Sequence, residues 1–159
     1  MPTSAYNKFH IFVEDLAHGV HSLNTHTLKV LLTNTAPSAS DTDYDSTFGP
    51  PAKLIPTSNA AEISAGNGYT AGGNSVTITT ASQSSGTYTL AGNQVVFTAS
   101  GGSMATFRYA VLYNSSGGAA ATRPLIAWFD YGSSLTLNSG ETLTIKFNNS
   151  SPGTIFTIT

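Results

Sequence analysis

From Ser75 to the final residue the chain breaks into short alternating segments punctuated by Gly, Asn and Ser, with no helical period among them. In Thr142-Leu143-Thr144-Ile145-Lys146-Phe147 the odd positions are apolar and the even ones polar, the pattern of a strand with one buried and one wet face. Comparable segments run from Ser75 to Thr80, Gly86 to Leu90, Gln94 to Ala99, Thr106 to Tyr113, Pro124 to Asp130, Ser134 to Leu137 and Thr154 to Thr159. Arg108 to Tyr113 and Leu125 to Phe129 are more continuously apolar, which predicts central strands covered on both sides. Asn138-Ser139-Gly140-Glu141 and Ala91-Gly92-Asn93 carry the residues of tight hairpins, so neighbouring strands are expected to be antiparallel. Residues 75–159 are thereby expected to form a mainly β fold, an antiparallel β-sandwich or jelly roll.

One helix is expected before it. Phe9, Phe12, Val13, Leu16 and Val20 recur at three- and four-residue steps, which predicts an amphipathic helix over residues 5–20, with Ser4 as N-cap and Gly19 near its end. Leu28, Val30 and Leu32 alternate in a strand-like segment from Thr27 to Thr33. Residues 36–59 hold breakers at Gly49-Pro50-Pro51 and Pro56, and read as an extended surface arm. Phe48, Leu54 and Ile55 give that arm apolar anchors, and they are the residues expected to bind a partner, with the arm ordered chiefly by that contact.

Composition narrows function. A chain of 159 residues fits a single domain, and with no Cys it has no disulfides or thiolate metal sites to rest on. Only 9% of residues are charged and the formal net charge is -2, which leaves no basic stripe for nucleic acid or a membrane surface. No apolar run reaches a membrane span, and Met1-Pro2-Thr3-Ser4 lacks the features of a signal peptide, so a soluble chain made in the cytoplasm is expected. Thr and Ser make up about a quarter of the residues. A surface paved with such neutral groups can pack on another protein without desolvating charge.

Reactive constellations are thin. His10, His18, His21 and His26 cluster in and after the expected helix, where His18 and His21 could share a face, but no H-E-x-x-H pattern accompanies them. Asp41, Asp43 and Asp45 alternate like the opening of a calcium loop, yet Ser46 and Ala52 stand where that loop needs Gly and Glu, leaving a weak irregular cation site at most. Gly66-Asn67-Gly68 to Gly73 lacks the following helix of a phosphate cradle and reads as a bend where the chain changes sheet. Glu62, Glu141 and Asp130 sit near turns, where solvation accounts for them. No nucleophile elbow is present, so no enzyme, metal or cofactor is expected. Tyr6, Tyr44, Tyr69 and Trp128 to Tyr131 could form a sugar-stacking platform, which makes a carbohydrate-binding module a rival reading, with Trp128 more simply placed in the core.

Several stretches resemble a family of small virion structural proteins of tailed bacteriophages. They are Asn7-Lys8-Phe9 with Phe12 to Ala17; Leu28 to Pro37; Glu62-Ile63 with Ala65 to Tyr69; Arg108 to Asn114; and Asp130 to Ser134 leading into Gly140-Glu141-Thr142. The chain carries a longer Asp- and Pro-containing insertion, Ser40 to Pro56, than that pattern. The resemblance implies a capsid decoration, or cement, protein at the virion surface. Its partners would be the major capsid protein and copies of itself, with a trimer at a three-fold junction as the expected form. A tail or head-fibre component is the alternative within the virion.

Overall fold

The computed structural model describes residues 3–49 and 51–159; Met1, Pro2 and the expected breaker Pro50 lie outside the described residues. Its centre is strand pairing among β2 (Leu28–Thr33), β9 (Phe107–Asn114) and β10 (Arg123–Leu135). Leu28, Val30 and Leu32 face one core with Leu112, Ala110 and Ile126, while Leu31 faces a second core with Val111, Tyr113 and Leu125. Both faces are therefore covered, as the continuously apolar segments predict. Each leucine so buried contributes about 1.5–3 kcal/mol.

A seven-stranded antiparallel sheet grows from this centre in the order β4-β3-β10-β9-β2-β5, with β1 (Asn7–Lys8) also pairing to β10. Here β3 is Asp43–Asp45, β4 is Lys53–Ile55 and β5 is Asn74–Ser75. The opposing layer comprises β6 (Ile78–Ser84), β7 (Thr87–Gly92) and β12 (Gly153–Ile158) in the order β12-β7-β6, and a separate pair of β8 (Val95–Thr98) with β11 (Thr142–Ile145). The main core lies between the layers and includes Phe97, Met104, Phe107 and Phe147. The fold is a mainly β, antiparallel sandwich with one helix.

That helix, α1, spans only Ile11–Ala17 rather than residues 5–20. Asn7 and Lys8 pair with Trp128 and Ala127, and the Phe9 amide continues onto the Ile126 carbonyl at 3.2 Å. Backbone pairing with an available strand edge thus overrides the helical period of the first residues. Ser4 does not cap the helix; its hydroxyl accepts from the Asp130 amide at 2.8 Å. Gly19, at φ +73°, does end it.

Residues 36–59 are not an arm waiting for a neighbour. They contain the β3–β4 hairpin, whose register sets Tyr44 opposite Leu54 and which joins β10 through Arg123 and Pro124. Tyr44 and Leu54 are 2% and 0% exposed in the second core. The expected turn at Asn138–Glu141 forms, with the Glu141 amide donating to the Asn138 carbonyl at 2.9 Å, whereas Ala91 and Gly92 continue strand β7 instead of turning; the flanking strands pair elsewhere, β7 with β6 and β12, and β8 with β11. At such corners of a sandwich the chain passes from one sheet to another. The tight hairpin of the opposing layer is β6–β7, where Ser85 and Gly86 both take positive φ in a two-residue loop.

Candidate functional site

Asp41 anchors the segment that carries the expected contact residues. Its side chain is fully buried, with Oδ1 accepting the Thr57 and Ser58 amides at 2.9 and 2.7 Å. Oδ2 accepts the Ser38 amide at 2.8 Å and the Ser58 hydroxyl at 2.5 Å. Asp43 accepts from the Thr42 hydroxyl, and Asp45 from the Thr47 amide and hydroxyl. The three carboxyl groups thus turn to different local donors, and among the described residues no three potential metal ligands converge. They organise turns.

Glu62 is also buried, at 4% exposure, not solvated beside a turn. Its Oε2 accepts the Tyr44 hydroxyl at 2.6 Å; its Oε1 accepts the Tyr69 hydroxyl at 2.6 Å and the Gly72 amide at 2.5 Å. The Tyr69 oxygen accepts from the Leu32 amide, and Tyr113 donates to the Gly72 carbonyl at 2.8 Å. Burial, then the neighbouring Glu62, raises the Tyr44 and Tyr69 hydroxyls far above the usual range, and burial pushes Tyr113 up to about 12. All three remain donors. With three donors spent on it and 4% of its surface exposed, Glu62 ties the hairpin and the 66–73 loop to β2, and together with Tyr44 it also borders the hollow beside that hairpin.

The sugar platform does not assemble from the expected rings. Tyr44 and Tyr69 point into the cores, and Tyr6 packs edge-on against Phe129. Trp128 is half-buried against Phe9, with ring centroids 4.6 Å apart.

The histidines separate. His10 and His18 are exposed, while His21 and His26 turn their Nδ1 atoms to the Asn114 amide group at 3.1 and 2.9 Å. Asn114 Oδ1 accepts the Ser116 and Gly117 amides, so its nitrogen must be the group that donates to both rings. Both Nδ1 atoms are then acceptors, and each neutral ring carries its proton on Nε2. Among the described residues His21 Nε2 has no hydrogen-bond partner, and the Asp15 carboxyl lies 3.8 Å away. Burial, then His26, lowers the His21 imidazole to about 4, while burial raises the Asp15 carboxyl. Desolvation outweighs their mutual attraction, as both shifts oppose an ion pair.

Of the three expected partner contacts, the structure keeps one at the surface. Leu54 fills the second core and Ile55 is half-buried in β4 opposite Asp43. Phe48 stands 49% exposed between β3 and β4, with the Lys53 ammonium 4.5 Å from its ring centroid. Beside this loop is a hollow of about 860 Å³ bordered by Lys29, Tyr113 and Arg123. Sequence reasoning missed the Glu62 cage and the Asn114 node, because their members are far apart in the chain. The only local signal was a lone acid between apolar Ala61 and Ile63.

No family model matches the chain, and no curated protein or solved structure is similar enough to count as a relative.

Proposed function

We propose that the chain is a structural component of a tailed-phage virion, a decoration (cement) protein that binds the outside of the assembled head and stabilises it. The observation that carries this reading is Phe48: a large aromatic held at the surface by a hairpin that Asp41 and Glu62 fix from beneath. Contacts on a rigid support lose little entropy on docking, and exposed aromatics are favoured anchors of protein interfaces. The low charge of the chain and its abundant Thr and Ser support the same reading, as does the family resemblance of its sequence stretches. The partners are the major capsid protein and further copies of this chain. A clip of this kind adds the free energy of binding to the assembled state and asks for contact area, not for a reactive centre.

Quantitative mass spectrometry of purified virions tests the proposal. A copy number comparable to that of the major capsid protein is expected. A few copies per particle would move the protein to the tail or a head fibre, and its absence from virions would end the reading.

A further inference from the structure

The opposing layer of the sandwich is split. Among the described residues, strand β11 pairs only with β8, and β12 pairs on one side only, with β7. Among the described residues, no loop backbone or side chain hydrogen-bonds to residues 142–145 or 154–158 in place of the missing neighbour. Both strands border one cleft of about 1020 Å³. Every residue from Thr142 to Ile145 and from Thr154 to Thr157 touches it, whichever face its side chain takes, which is how a strand borders a space with its edge.

The lining states what the cleft would accept. Phe129, Leu135, Leu143, Ile145 and Phe156 are only partly buried there, an apolar floor left in part to water. The Tyr6 hydroxyl, in the same lining, is buried without a hydrogen-bond partner among the described residues. Charges along the cleft balance: Arg108 holds Asp130 through two hydrogen bonds of 2.8 and 2.9 Å, and Lys146 offsets Glu141. An occupant without net charge is matched to that balance. The edge strand β6 is a contrast, since its side chains from Ser82 to Ser84 are polar and exposed, the usual way of protecting an edge from pairing.

We propose that this cleft binds an extended, uncharged segment of another polypeptide, which pairs with the exposed edges of β11 and β12 and lays apolar side chains at alternate positions on the floor. Backbone groups give such a complex its affinity, and the alternate pockets its selectivity. This inference does not depend on the decoration reading.

The test uses the full chain with the peptide acetyl-Thr-Val-Thr-Val-Thr-Val-Thr-amide, and with a second peptide N-methylated at its three valines. Amide hydrogen exchange is read residue by residue. Bound peptide is expected to slow exchange of β11 and β12 edge amides at least tenfold and leave β6 unchanged, and N-methylation is expected to weaken binding at least tenfold. Absence of protection at millimolar peptide, equal protection of β6, or equal binding of the two peptides would overturn the proposal; the last result would mean that the cleft accepts side chains without strand pairing. None of these outcomes bears on the copy number in virions, so the two readings fail separately.

Discussion

The Tyr44 hydroxyl donates to Glu62 Oε2 at 2.6 Å, with both residues almost completely buried. This bond fastens the β3–β4 hairpin to the chain behind β2. Tyr44→Phe keeps the ring against Tyr113 and removes only the donor. Leaving a buried acceptor unsatisfied costs about 1–3 kcal/mol, so a fall of several degrees in the melting temperature is expected. A double-mutant cycle with Glu62→Gln should show the two changes to be non-additive; additive losses would mean that the bond contributes nothing of its own.

Asp41→Asn retains shape but replaces one accepting oxygen by a donor that faces protein donors. Two unmade hydrogen bonds cost roughly 2–5 kcal/mol, concentrated on residues 38–58. Limited proteolysis is the direct measurement: the variant is expected to be cut within that segment well before the sandwich, and an unchanged cleavage pattern would contradict the anchoring role.

Acid should loosen the fold through His21. Its imidazole is lowered to about 4 in the folded chain against an ordinary 6.5, so the unfolded state takes up the proton first. This contribution to stability is present in full above about pH 6.5 and is lost as pH falls toward 4, on the order of 3 kcal/mol in total. The raised Asp15 carboxyl opposes the slope at the acid end of the window. Urea unfolding between pH 7 and 4 should show the decline, and His21→Phe should flatten it.

Phe48→Ala should leave stability within about 0.5 kcal/mol, because the ring is half exposed. Affinity for shells stripped of the protein should fall tenfold or more, with circular dichroism confirming an intact fold. Unchanged affinity would place the contact on another surface. Particles lacking the protein should still assemble but release their contents at lower temperature or after osmotic shock.

Where a pattern extends over many residues, the sequence carries the fold. Alternation along Thr142 to Phe147 and the apolar runs of β9 and β10 correspond to the strands found there. The three-residue strands of the β3–β4 hairpin are too short to show a period, β3 itself is two aspartates around Tyr44, and prolines stand beside β4, so the same stretch reads as an arm. Strand partners are a further loss, because a turn marks where the chain reverses and not which edge it then meets. The Glu62 cage has a single local sign, an acid between Ala61 and Ile63, because Tyr44, Glu62, Tyr69 and Tyr113 are brought together by the fold from distant parts of the chain.

The β3–β4 hairpin and the segment around Phe9 together cover Leu31, Val111, Tyr113 and Leu125 on the outward face of the seven-stranded sheet. Stripped of that cover, the sheet would present a contiguous adhesive patch, the kind of surface that makes chains clump without choosing partners. Two short stretches of chain, distant in sequence, therefore keep that patch from water. A nick in the hairpin would uncover the patch and at the same time free Phe48, the contact of the proposed decoration role, from its support.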